Sequence, residues 1–483
     1  MYDVPSQQLH PDLSEQAGRI WVLALTSLAS FQAALDALVV TTALSTIRVS
    51  LHAPIEALEW TVNAYNLSFA VLLMTGAALG DRFGRRRMLV AGLALFVAGS
   101  AACAMAGSVA WLIAARAVQG AGAALMLPLA MALLGAAYPG QARARALGIF
   151  SGVTGLALII GPAAGGAIAE GLAWQWIFWI NIPIGLVVML LMRSRLRESH
   201  GPGAALDLPG LVLVTCAALG AVWGLVRGHV AGWASGEVLV ALAAGLLLAI
   251  GFVAWERRAR EPMLPMRLFR SRAFSSGIAA SFLFCAPMYG TLFFLPQFLQ
   301  AQGLGPLAAG LRLLPWTTTL FVVAPLGGGL VNRFGERPLV AIGVLLQAVG
   351  TGWMALLATP DLAYARLVAP MIVAGAGVSM AIPAVQNVVL SAVAPAEIGK
   401  ASGAFNMFRY LGGVFGIALL VEVFARAGGL ASPQAFSAGF AQAMGVGSAL
   451  SLLGAAVALR LPARRRPAFA TVDETTTERG IPS

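Results

Sequence analysis

The chain has 483 residues, of which 59% are hydrophobic and 11% charged, where a soluble domain carries roughly 25% charged residues. A water-soluble globule has no means of covering that much apolar surface, so the composition excludes one and points to an all-α polytopic membrane protein. The formal net charge of +11 follows the membrane topology described below and gives no reason to expect a nucleic-acid partner.

Residues 1–18 are polar and contain no apolar stretch ending in a small-residue cleavage site, so they are expected to be a retained cytoplasmic tail. Fourteen apolar runs follow, near 19–44, 59–79, 88–107, 109–134, 146–168, 173–192, 207–227, 235–255, 273–300, 307–331, 338–358, 364–391, 401–425 and 437–459. Each is long enough to cross the ~30 Å hydrocarbon core as a helix. A second polar tail occupies 460–483. With the first tail inside, four of the 31 Lys and Arg residues fall in outer loops (Arg48, Arg227, Arg366, Arg426), three within the membrane (Arg116, Arg312, Arg409) and the other 24 on the inner side. That bias predicts an integral plasma-membrane protein with both termini cytoplasmic. Clusters such as Arg257, Arg258 and Arg260 then serve as topology signals and contacts to anionic membrane lipid.

Cys103, Cys216 and Cys285 each lie inside an apolar run without a CxxC-type neighbour, which reads as structural thiol. The four histidines, His10, His52, His200 and His229, fall in tails or loops. No metal and no cofactor is expected, and chemistry inside the membrane rests on carboxylates and arginines.

Between runs 2 and 3 the chain reads "AALGDRFGRRR" (77–87), and between runs 10 and 11 "GGLVNRFGERP" (328–338) repeats its layout. Two related halves would place a six-helix bundle in 19–192, a second in 273–459, and an inserted pair of helices with flanking loops in 193–272. Repeated halves around a central axis are the organisation of secondary transporters, which handle substrate near the midplane. Gly84 permits a tight bend, which leaves Asp81 near helix ends where an arginine or backbone N–H groups can reach it.

The 77–87 loop resembles the loop signature of the major facilitator superfamily, in which an aspartate and arginines latch the two halves. Here the latch residues are Asp81, Arg82, Gly84, Arg85 and Arg86. Ala77 stands where the signature has its first glycine, and Asn332 replaces the aspartate in the second copy. "LIAARAVQGAGAA" (112–124) is similar to the family's fourth span, with Arg116 inside the membrane followed by Gln119, Gly120 and Gly122. "GIFSGVTGLALIIGPAAGG" (148–166) is similar to the antiporter signature of the fifth span, through Gly148, Gly161, Pro162, Gly165 and Gly166, with Ala157 at a usual glycine position. "LDALVVTTAL" (35–44), "WQWIFWINIPIG" (174–185) and "GKASGAFNMFRYLGGVFGIAL" (399–419) resemble the fourteen-span drug:proton antiporter branch, although Ser45 and Gln175 depart from it. The resemblance covers about 19–460. It implies a major facilitator fold of two six-helix bundles plus two inserted helices, and transport rather than enzymatic catalysis.

A carboxylate in the bilayer costs ~2.5–3.5 kcal/mol on insertion scales and is a functional candidate by default. Asp36 lies ~12 Å below the outer end of run 1 and Arg116 ~10 Å below that of run 4, so the two share a depth. Burial favours the neutral acid and a guanidinium the carboxylate, so approach and withdrawal of Arg116 would switch proton affinity; a static ion pair is the alternative. The resemblance implies proton coupling for both. Glu422 and Arg312, near the outer ends of runs 13 and 10, are expected to pair with each other, chiefly as structure, and stand as secondary coupling candidates. Tyr65, Asn66, Gln119, Asn181, Gln386, Asn387, Asn406 and Arg409 are candidates to line a substrate cavity, each equally able to serve as a helix-to-helix hydrogen bond.

The expected function is proton-coupled export of a small amphipathic substrate by alternating access, by a monomer, with export of one specific metabolite such as an antibiotic, siderophore or amino acid as the alternative. The chain carries no Walker or Rossmann glycine loop, no HExxH and no GxSxG, which argues against an enzyme. It has no filter-like loop of a channel.

Overall fold

The structure, a computed structural model, describes residues 13–138, 140–201, 206–319, 321–323, 335–394 and 397–462. In chain order the helices are α1 (Leu13–Leu51), α2 (Ile55–Phe83), α3 (Arg85–Ala104), α4 (Val109–Ala137), α5 (Gly140–Gly171), α6 (Trp176–Trp179), α7 (Asn181–Arg195), α8 (Leu208–Ala231), α9 (Gly236–Glu256), α10 (Arg272–Ala301), α11 (Pro306–Leu311), α12 (Leu314–Thr317), α13 (Glu336–Leu357), α14 (Tyr364–Ser391), α15 (Ile398–Ala427) and α16 (Pro433–Ala458). No strand occurs among the described residues. Among the described residues fourteen helical stretches are long and apolar enough to span a membrane, one overlapping each predicted run, as lipid demands of backbone groups that have no water to bond. Residues 324–331 of the tenth run lie outside the described residues.

The first bundle packs α4 against α2 and α3, and α5 against α1; in the second, α13 packs on α14 and α16, and α10 on α15 and α16. The two sets meet chiefly where α2 runs along α15 and where α5 meets α11. The inserted helices α8 and α9 pack on each other, and α8 also touches both α2 and α15, so it covers one side of that seam. Exposed Leu239, Val240, Leu246, Leu247 and Ile250 on α9 give it an apolar outer face suited to lipid. Gly84 (φ +105) and Gly335 (φ +84) both occupy the left-handed region that favours glycine. They hold equivalent places in the two loop copies, so the repeat is visible in the backbone; residues 328–334 of the second copy lie outside the described residues.

Close approach is made by small residues. A Cβ at Gly120 would sit 2.3 Å from Tyr65 O, and one at Gly122 2.5 Å from Phe96 N, so α4 lies against α2 and α3 with nothing between the backbones. That contact turns Arg116 and Gln119 inward.

Candidate functional site

Asp36, on α1, is fully enclosed by the first bundle. Its Oδ2 accepts from Arg116 Nη1 at 2.5 Å, with the two side chains 0% and 1% exposed. Its Oδ1 accepts from Gln119 Nε2 at 2.8 Å and from Asn181 Nδ2 at 2.7 Å. Four helices thus converge on one carboxylate, since Gln119 Nε2 also donates to Ser100 Oγ of α3 at 2.8 Å. Arg116 is held in turn: its Nη1 donates to Gln119 Oε1 at 2.7 Å, its Nε to the Thr61 carbonyl at 3.1 Å, and its Cζ lies 4.3 Å from the Tyr65 ring centroid. Tyr65 is fixed by donation from its hydroxyl to Ala33 O at 3.0 Å.

Asn181 follows a one-residue interruption of the sixth span at Ile180. Pro183 has no N–H to bond Trp179 O, and the helix divides at Ile180, which leaves Asn181 as the first residue of α7. Its side chain turns to Asp36 and its backbone carbonyl accepts from Gln32 Nε2 at 2.6 Å. The structure therefore places Gln119 and Asn181, read from sequence as cavity-lining groups, on the Asp36 carboxylate. Gln32, Ser100 and the Thr61 carbonyl join them without having been foreseen. Each is one polar group on an apolar helix, and only the α1–α4 pair gave a signal by its charge. The fully buried Glu59, which accepts from Asn63 Nδ2 at 3.0 Å, was also missed.

The fifth-span glycines act on the same helix. A Cβ at Gly161 would lie 2.8 Å from Leu38 Cβ, and one at Gly165 2.3 Å from Val39 O, so α5 rests on the turn of α1 just past Asp36. Gly166 faces the other bundle, with Pro306 O at 2.3 Å from its would-be Cβ, and Pro162 O lies 2.2 Å from that of Gly310. Glu170 Oε2 accepts from Leu307 N at 2.9 Å, and Gln300 donates to Thr42 O at 2.9 Å and meets the Ser45 hydroxyl. These contacts join the bundles at the end away from Asp81. Gly148 faces open space.

At the opposite end Asp81 bonds Arg85, through Nε and Nη2, both at 2.8 Å. The loop is clamped by the segment after α7: Arg85 N donates to Ser199 O at 2.8 Å, and the Glu198 carboxylate accepts from Arg86 N at 2.9 Å and Arg87 N at 3.2 Å. Glu198 caps the N-terminus of α3 and lies near both guanidinium groups, a role not foreseen in the sequence. Arg86 also donates to Leu196 O at 3.0 Å, whereas Arg82 lies over its neighbour Phe83.

The expected Glu422–Arg312 pair is not formed. Glu422 accepts from Arg426 Nε at 2.5 Å and from Trp233 Nε1 at 2.9 Å, and Arg312 lies 4.8 Å from the Tyr364 ring centroid. A partner one helical turn away reaches Glu422 without any rearrangement between helices. Asn387 donates to Glu336 Oε1 at 3.0 Å on an exposed face, Asn406 bonds its own helix at Ser402 O, Asn66 is buried, and Gln386 is half-buried. Arg409 lies beside Tyr289 and Tyr410.

A carboxylate and a guanidinium buried together in a helical bundle, a glycine-lined seam between two bundles and a charged loop at one end define a secondary-transporter architecture. The Major Facilitator Superfamily family model matches residues 26–417, and the chain belongs to that superfamily, as an integral multi-pass membrane protein. It is 35% identical over 425 residues, 87% of this chain and 78% of the relative, to the tetracenomycin C resistance and export protein of Streptomyces glaucescens. It is 36% identical over 443 residues, 90% of each chain, to the cephamycin export protein CmcT of Amycolatopsis lactamdurans. To the methylenomycin A resistance protein of Bacillus subtilis it is 33% identical over 446 residues, 92% of this chain and 95% of the other. Among solved structures, a POT family transporter in complex with a thioalcohol-conjugated peptide superposes with a TM-score of 0.69 at 15% identity, covering 92% of this chain and 95% of that one. That likeness concerns the fold.

Proposed function

We propose that the chain is a proton-driven exporter of amphipathic small molecules that works by alternating access, with residues 19–192 and 273–459 as its two moving bundles, 193–272 as an inserted pair, and both termini in the cytoplasm. The observation that carries this reading is the Asp36 carboxylate, sealed from solvent and tied to α3, α4 and α7 through Arg116, Gln119 and Asn181. Proton uptake there neutralises the carboxylate and weakens its attraction to Arg116, so α1 and α4 gain freedom to move. Because Gly161 and Gly165 seat α5 on the same turn of α1, and Gly166 seats α5 on α11, a shift of α1 is transmitted to the contact that closes the end opposite the latch. A proton moving inward down ~100 mV supplies ~2.3 kcal/mol for uphill export.

Breadth is the second question. Relatives named for single antibiotics, tetracenomycin C, methylenomycin A and cephamycin, support export of one dedicated metabolite, while relatives at 34% and 32% identity named as a multidrug resistance protein and a multidrug transporter support the broader amphipathic range. The test is uptake into everted vesicles energised with an acid interior. Accumulation of a dye or antibiotic that collapses with a protonophore is expected; accumulation unaffected by the protonophore contradicts proton coupling.

A further inference from the structure

A row of aromatic rings crosses the seam between the bundles. Tyr65 and Phe69 on α2 have centroids 6.4 Å apart, Phe69 lies 4.4 Å from Tyr410 on α15, and Tyr410 5.9 Å from Tyr289 on α10. Each end of the row carries a guanidinium: Arg116 over Tyr65 at 4.3 Å, and Arg409 beside Tyr410 at 5.1 Å and within side-chain hydrogen-bonding reach of Tyr289.

The two ends differ in charge balance. Arg116 is neutralised by Asp36. Arg409 has no ion pair among the described residues, and its Nε is sequestered without a hydrogen-bond partner. The nearest candidate carboxylate on its own helix, Glu422, is taken by Arg426. Aromatic faces offset a cation by about 0.5–2 kcal/mol, against the ~2.5–3.5 kcal/mol cost of an arginine at membrane depth. Arg409, Tyr410 and Tyr289 are each only half-buried, so a ligand can reach them.

We infer that Arg409, flanked by Tyr289 and Tyr410, is the recognition point for the acidic group of a planar aromatic substrate, a carboxylate or an ionised phenol or enol, whose rings stack on the partly exposed Tyr289 and Tyr410. The inference rests on the export reading and narrows its substrate class to anionic aromatics. A guanidinium holds such a group bidentately and the tyrosines supply flat faces at low entropic cost. Cationic amphiphiles are repelled by the same charge.

Equilibrium binding of anthracene-2-carboxylate and its uncharged isostere anthracene-2-carboxamide to the purified full chain, followed by fluorescence anisotropy, tests this. The wild type is expected to bind the carboxylate at least tenfold more tightly than the amide. Arg409→Gln is expected to bring that ratio to about one, with amide affinity unchanged. Arg409→Lys, which keeps the charge and guards against a misfolded Gln variant, is expected to retain a reduced preference. A wild-type carboxylate that binds no better than the amide, including the case in which neither binds, overturns the inference. So does a preference that persists in Arg409→Gln. Protonophore-sensitive vesicle transport without any carboxylate preference would sink this inference alone. Carboxylate preference without transport would instead sink the export reading.

Discussion

Asn181 Nδ2 stands 2.7 Å from Asp36 Oδ1, and its own carbonyl accepts from Gln32 2.6 Å away. One amide at a helix break thus links the carboxylate to a second buried residue of α1, a turn before Asp36. A hydrogen bond to a charged group is worth about 1.5–3 kcal/mol, so Asn181→Leu, similar in size and unable to donate, is expected to slow transport by about tenfold or more while the protein still inserts. Initial rates in everted vesicles decide it. A rate equal to wild type would make Asn181 a packing residue only.

The loop between α2 and α3 makes separable predictions. Glu198→Ala removes the acceptor of two N–H groups at the start of α3, a cap worth about 1 kcal/mol, so thermal stability in detergent should fall by a few degrees. Asp81→Asn removes the carboxylate that holds Arg85 at 2.8 Å and leaves the arginine topology signal in place. Its effect is expected on rate, several-fold, more than on substrate affinity. An Asp81→Asn protein with wild-type velocity would reduce the loop to a topology anchor.

At the other end, Gly166→Val forces side-chain atoms into Pro306 O, which lies only 2.3 Å from a Cβ at that position. Overpacking of this kind costs about 1–3 kcal/mol, enough to favour the state in which α5 and α11 part. Ser45→Cys, in a background with Cys216 replaced, reports the change through labelling by a membrane-impermeant maleimide added from outside. Labelling several-fold faster in the Gly166→Val background is expected, and an unchanged rate contradicts the closing role of this contact.

The charge bias makes its own prediction, that both termini face the cytoplasm. A phosphatase fused after Ser483 should be inactive and a fluorescent protein at the same place bright. The reverse pattern would overturn the orientation and the assignment of inner and outer ends.

Sequence made the spans legible because each must carry its own apolar length, and the Asp36–Arg116 pair legible because two charges share one depth. The supporting groups were not. Gln32 and Ser100 look like any polar residue on a membrane helix, and their roles depend on rotational settings that glycine contacts fix, such as Gly120 against Tyr65. Glu198 was hidden for another reason: it reaches the start of α3 from 112 residues away, out of a linker with no periodicity. The Glu422–Arg312 expectation failed because matched depth on two helices does not outweigh Arg426 at i+4 on the same helix.

The central claim is that Asp36 carries the coupled proton. Proton release on adding substrate to purified, detergent-solubilised protein tests it without gradient or cell, using a pH-sensitive dye in weak buffer. Asp36→Asn keeps volume and hydrogen bonding but does not titrate. Wild type is expected to release protons in proportion to substrate bound, and Asp36→Asn to bind substrate and release none. Release from Asp36→Asn at the wild-type stoichiometry would contradict the account and place the proton elsewhere.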